Sequence, residues 1–176
     1  MIFLIGASGS GKSTLAKRLV DKGYKEVVSY TTRPKRYEDE EGHIFVDRYD
    51  GNGVAYSKFN GYEYWCTQEQ LDECDVYVVD WNGIDMLRRK AELSEDGSKA
   101  SEKEKGVEGI TVYIDVSEEE RVRRMKLRGD SDEMIRSRIE NDRKMFPEER
   151  KMEADVIVDG RKDVEVIINE LQNKTN

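Results

Sequence analysis

Apolar residues in this chain collect in short unbroken runs. "MIFLIG" at the start, "DVYVVD" ending at Asp80, "ITVYID" ending at Asp115 and "ADVIVDG" ending at Gly160 are apolar at successive positions. A run apolar on both faces predicts a strand covered on both sides. "YKEVVSYTTR" predicts a further strand that ends in polar residues. Between the runs the apolar spacing becomes helical. Lys12 to Lys22 predicts a helix with Leu15, Leu19 and Val20 on one side. "IDMLRRKAEL" predicts a second. "SEEE" at 117–120 fits a capping box opening a helix through Leu127, and "GDSDEM" turns into another over about 132–152. "DVEVIINELQN" predicts the last helix.

The middle of the chain breaks this rhythm. "RPKRYEDEEGHIF" reads as a charged loop with Pro34 and Gly42 as breakers. Residues 44–66 read as short strands joined by turns at "DGNG" and "NG", and Thr67 caps a helix over "TQEQLDE". Residues 94–109, "SEDGSKASEKEKGVEG", read as a polar surface excursion. There is no internal repeat. The alternation predicts an α/β fold, a parallel sheet flanked by helices, and such sheets bind ligands beyond the carboxyl ends of their strands.

Composition narrows the function. A length of 176 residues suits one domain with a small inserted lid. A net charge of −8 repels nucleic acid, so none is expected as a partner, and any phosphate ligand has to be met by local positive charge. Cys66, Cys74 and the single His43 form neither a zinc pattern nor a disulfide framework, which favours a reducing, cytoplasmic setting. The opening apolar run is too short, and lacks the basic lead, for a secretory signal. No apolar stretch nears the roughly 20 residues of a membrane span.

"GASGSGKST" carries the clearest chemistry. Gly6, Gly11, Lys12 and Ser13 complete G-x-x-x-x-G-K-[ST] between a strand and a helix. Glycines let the backbone N–H groups point inward around an anion, and the helix start adds partial positive charge. Gly6, Ala7, Ser8, Gly9, Ser10, Gly11, Lys12, Ser13 and Thr14 are therefore expected to bind the phosphates of ATP. Lys12 would reach the β- and γ-phosphates and Ser13 would hold Mg²⁺. Past the second strand, Arg33 and Arg36 sit in "SYTTRPKR", where guanidinium forks suit a second phosphate group. Arg124 and Arg128 share a helix face and Arg138 follows on the next helix, so the pair could form a mobile lid. Asp80 and Asp115 both end apolar runs and compete for a role at Mg²⁺ or the substrate.

Taken in order, "GASGSGKSTL", "SYTTRPKR", "FNGYEY", "VDWNG", "RMKLRG" and "IRSRI" resemble the guanylate kinase family of P-loop nucleoside monophosphate kinases nearly end to end. The resemblance implies transfer of the γ-phosphoryl of MgATP to a nucleoside monophosphate, GMP or dGMP, by a monomer or homodimer. It implies a single kinase domain with its core at 1–32, 68–120 and 153–176. An acceptor-binding insert would cover about 33–67 and a lid about 121–152. Arg33, Arg36 and Tyr64 match positions binding the acceptor phosphate. Lys12, Arg33 and the lid arginines Arg124, Arg128 and Arg138 match the catalytic set. Ser29, Cys66 and Asp80 match the acceptor site, Ser13 and Asp80 the metal site, and 156–160 the segment skirting the adenine.

The departures are as informative. The family's guanine-reading glutamate is Ala55 here, the first aspartate of its D-x-D is Val78, and its Ser or Thr two after Tyr64 is Cys66. The stretch between Gly42 and Phe45 is two residues shorter than the family's and lacks a tyrosine, while Glu38, Asp39, Glu40 and Glu41 compete for one acidic position. Glu63, next to Tyr64, is a candidate replacement for the missing carboxylate. The lost base contacts leave open a different nucleotide or small phosphorylated metabolite as acceptor, or a retired binding module.

Overall fold

The computed structural model describes residues 1–95 and 108–175. Four of the apolar runs pair as one parallel sheet: β1 (Ile2–Ile5), β6 (Val76–Val78), β7 (Ile110–Asp115) and β8 (Val156–Asp159), in the order β6-β1-β7-β8. Leu4, Ile5, Val76 and Val112 are fully enclosed, as strands covered on both faces demand. α1 (Lys12–Asp21) and α7 (Val164–Thr175) cover one face through Leu15, Leu19, Ile167 and Ile168. α3 (Trp81–Glu95) covers the other with Trp81, Ile84 and Leu87. The fold is α/β, a parallel sheet flanked by helices, as the alternation predicts.

A second, mixed sheet forms from the middle of the chain. It consists of β2 (Tyr30–Thr31), β3 (Ile44–Phe45), β4 (Val54–Phe59) and β5 (Tyr62–Cys66) in the order β3-β2-β5-β4. β4 and β5 are a hairpin whose turn, Asn60 at φ 54 and Gly61 at φ 80, has the left-handed pair that suits right-twisted strands. α2 (Gln68–Glu73) follows, opened by a capping box in which Thr67 and Gln70 satisfy each other's backbone N–H. Gln70 Nε2 also donates to Val28 O at 2.8 Å, so the end of this sheet's chain segment is fastened to its beginning.

Three expectations need correction. "YKEVVSYTTR" is not one strand: Glu26 bridges to Val76 at the edge of the parallel sheet, and only Tyr30–Thr31 continue as a strand, in the other sheet. Val20 does not join the buried face of α1; it is 42 % exposed, and Ala16 fills that side with Leu15 and Leu19. The helix over about 132–152 is two helices. α5 (Asp132–Met145) ends at Phe146, and α6 (Glu148–Lys151) starts after Pro147, which has no N–H to continue the ladder. α4 (Glu118–Arg128) starts at Ser117 and ends on Gly129 at φ 92. Its capping box is half made: Ser117 accepts from Glu120 N, but the Glu120 carboxylate turns to Arg123 and Arg124. Most of the polar excursion at 94–109 lies outside the described residues.

Candidate active site

The glycine-rich loop leaves β1 and turns into α1. Gly6 and Gly9 are set by close approach: a Cβ on Gly6 would lie 2.7 Å from Ile114 O, and one on Gly9 2.8 Å from Arg121 O. Both also have positive φ. Gly11 caps α1 with no side-chain acceptor, so the orphan N–H groups of the first turn remain for an anion. Lys12 Nζ reaches back to Gly6 O at 2.5 Å and Ala7 O at 3.0 Å. Burial brings its pKa down to about 8, against the pull of the Asp142 carboxylate.

A cleft of ≈ 630 Å³ opens from this loop across the carboxyl ends of the strands. The loop from Gly6 to Thr14, except Ala7, lines its floor. Gly160, Arg161 and Val164 line one end. Ser29, Arg36, His43, Ala55, Ser57, Phe59, Tyr64 and Asp80 line the other, and Arg124, Arg128 and Arg138 reach in from α4 and α5.

The arginines are held by local partners. Arg124 donates to Ser10 O at 3.0 Å and Gly160 O at 2.9 Å, spanning the loop and the end of β8. Arg128 pairs with Asp130, and Arg138 approaches the same carboxylate at 3.6 Å. These two, with burial working against them, hold the Asp130 carboxyl below its usual range. Arg36 donates to Glu40 Oε1 at 3.1 Å.

Two expected acceptor residues lie elsewhere. Arg33 does not line the cleft; its guanidinium is buried between Glu40 Oε1 and Oε2 at 2.9 and 3.0 Å, Pro34 O at 2.8 Å and the face of Phe45. Cys66 is fully buried behind the cleft, with its thiol pushed up to about 12 by burial. Glu40 is the one of the four competing acids that is buried, at 5 % exposure, and it organises Arg33 and Arg36 together. Glu63 does not face the cleft: its carboxylate accepts from Tyr56 OH at 2.7 Å. Asp80 caps α3, accepting from Gly83 N at 3.0 Å, and burial raises its pKa against those bonds. Asp115 pairs with Lys151 at 2.5 Å and lies off the cleft.

His43 was not marked by any sequence signal and belongs to the lining. Its Nδ1 lies 3.0 Å from Ser29 Oγ, and its ring meets Phe45 and Tyr64 edge-on. Burial first, then Arg33, depresses its pKa to about 4, so the imidazole is uncharged near neutrality.

Among the described residues no group of three or more His, Cys, Asp or Glu side chains could cage a metal ion. Mg²⁺ does not need one, since it takes one or two protein oxygens and completes its shell with phosphates and water. The Ser13 hydroxyl and Asp80 carboxylate, both on the cleft, are hard oxygen donors of that kind.

A glycine-cradled helix start at the carboxyl edge of a parallel sheet defines a P-loop nucleotide-binding protein. The family model described as an AAA domain, AAA_18, matches residues 2–153, and the chain belongs to that family. No curated protein matches significantly. Among solved structures the chain is similar to guanylate kinase from Anaplasma phagocytophilum, with a TM-score of 0.60 and 18% identity over 99% of this chain and 83% of that one. It is also similar to deoxyadenosine kinase from M. mycoides with bound dATP, with a TM-score of 0.51 and 16% identity over 99% and 98% of the two chains. At these identities the likeness is one of fold alone. No helix among the described residues is long and apolar enough to cross a membrane.

Proposed function

We propose that the chain is a nucleoside monophosphate kinase that moves the γ-phosphoryl group of ATP to GMP or dGMP. One observation carries the reading: the phosphate loop, the arginines of α4 and α5, and Ser29, Arg36 and Tyr64 of the second sheet line a single cleft. A donor and a phosphate-bearing acceptor fit such a cleft end to end. Phosphoryl transfer asks the protein for positioning and positive charge, and little covalent chemistry. In this reading the loop and Lys12 hold the donor phosphates, and Ser13 and Asp80 hold Mg²⁺, which would screen charge on the transferring group. Arg36 and Tyr64 hold the acceptor phosphate beside Ser29. Arg124, Arg128 and Arg138 exchange their present partners for phosphate oxygens. Arg33 acts behind them through Glu40. Residues 33–67 form the acceptor-binding insert and 121–152 the lid. The fold likeness to a guanylate kinase agrees with the reading.

A second reading, in which the acceptor is another nucleotide or a small phosphorylated metabolite, is favoured by a specific observation. The base end carries Ala55, Ser57, Phe59 and Val78, with Asp80 its one carboxylate, and Glu63 is engaged by Tyr56. Guanine offers donors that such a site answers weakly, and a missing polar partner costs orders of magnitude in discrimination. The test is a coupled assay with MgATP against GMP, dGMP, AMP, CMP, UMP, dTMP and the corresponding nucleosides, with Lys12→Ala as the blank. Selective GMP or dGMP turnover is expected. Turnover of another monophosphate supports the second reading, turnover of a nucleoside overturns both, and no turnover points to an acceptor outside the panel or a retired binding module.

A further inference from the structure

We propose that Asp142, on α5, is a positioning residue that sets the shape of the phosphate loop and through it the affinity for the donor nucleotide. The proposal rests on the donor reading of the loop given above. Asp142 is 134 residues from Ser8 in the chain, yet its Oδ2 accepts from Ser8 N at 2.9 Å and its Oδ1 from Ser8 Oγ at 3.0 Å. Arg121, on α4, completes the arrangement: its Nη1 donates to Asp142 Oδ2 at 2.9 Å and to Ser8 O at 3.3 Å. Every polar backbone atom of Ser8, and its hydroxyl, is therefore fixed by one ion pair. Both partners are buried, Asp142 at 2 % and Arg121 at 7 % exposure.

A carboxylate beside an anion-binding loop is an unusual choice, because its charge opposes the ligand's. Two features remove the opposition. Arg121 neutralises Asp142 directly, and Asp142 in turn faces Lys12, whose charge it favours. What remains is geometry. Ser8 stands between the carbonyls of Gly6 and Ala7, which receive Lys12, and Gly9, whose backbone packs on Arg121. A shift of Ser8 moves the lysine's acceptors and the N–H groups of the turn together. Preorganised donors of this kind lose their value when displaced by about an ångström.

Ser8→Ala separates this role from plain electrostatics, because it leaves the Arg121 and Asp142 charges in place. If the pair acted only through those charges, Ser8→Ala would bind MgATP as wild type does. If the pair positions the loop, Ser8→Ala weakens MgATP as well. The experiment is calorimetric titration of wild type, Ser8→Ala and the double variant Arg121→Met/Asp142→Leu with MgATP, and separately with GMP. The double variant replaces the whole buried pair by apolar side chains, so that neither charge is left buried without its partner. Ser8→Ala keeps the pair and removes one bond. Expected are an affinity for MgATP lower by about tenfold in the double variant, a smaller loss in Ser8→Ala, and unchanged GMP affinity. Unchanged or tighter MgATP binding in either variant overturns the proposal. Equal weakening of MgATP and GMP also overturns it, because that is the mark of a loosened fold. A wild type that binds no MgATP refutes the donor reading itself.

Discussion

Lys12 and His43 show how burial sets charge in this cleft. Lys12 keeps its proton near neutrality, but with a pKa of about 8 it does so narrowly until a phosphate arrives. Lys12→Ala is expected to abolish phosphoryl transfer while the thermal melt stays cooperative; activity equal to wild type would remove the loop from the mechanism. His43 titrates in the opposite sense to a stabilising histidine. Its folded pKa of about 4 lies below the ordinary 6.5, so between those values the unfolded chain binds the extra proton. Its contribution is present above pH 6.5 and drains away as pH falls toward 4, at a slope of at most about 1.4 kcal/mol per pH unit. Urea unfolding of wild type and His43→Asn at about pH 7 and about pH 5 checks this. The gap between the two should shift in favour of the variant on acidification. A gap that does not move with pH would mean that the imidazole binds protons equally in the folded and unfolded chain.

At the scale of elements, α4 ends where its sequence says it should. Gly129 takes φ 92, and a Cβ there would meet nothing within 4 Å, so the cost of a substitution is backbone strain alone. Gly129→Ala should destabilise the fold by about 1 kcal/mol in denaturant unfolding, with no cavity or clash involved. A neutral result would show the helix end relaxing into another turn. The same locality explains what could be read in advance. β1, β6, β7 and β8 are legible because a strand covered on both faces writes itself as an apolar run, and the loop because its residues are contiguous. The pieces that resist reading depend on distant partners. The split of "YKEVVSYTTR" is decided by Val76 across the sheet edge. The break in the helix after Met145 is the exception, since Pro147 is a local signal that a single helix over 132–152 overlooks. His43 and the Arg121–Asp142 pair have unremarkable local sequence; only packing between remote segments brings them to the cleft.

The whole molecule is tied across its cleft at one corner. Asn60, at the tip of the β4–β5 hairpin, accepts from Ser137 Oγ at 3.0 Å and from the Asn141 amide, both on α5. α5 thus touches the phosphate loop through Asp142 and the second sheet through Ser137 and Asn141. Asn60→Gly keeps the left-handed turn and removes the tie. Hairpin amides should then exchange hydrogen faster, by the roughly 1 kcal/mol that such hydrogen bonds contribute, with the parallel sheet unaffected. Unaltered exchange at the hairpin would show that the tie carries no weight.

The bond from Gln70 to Val28 has a consequence beyond stability. It brings together the two points where the chain leaves and rejoins the parallel sheet, so the segment from Ser29 to Thr67 begins and ends at one clasp, while Val54, Ala55 and Cys66 share the core of Phe3, Tyr77 and Trp81. Such a segment is a cassette with a fixed base. In the proposed reading, substitutions or insertions toward its hairpin tip and the loop after Pro34 would alter the acceptor side of the cleft while the phosphate loop, its lysine and the sheet beneath them keep their own contacts.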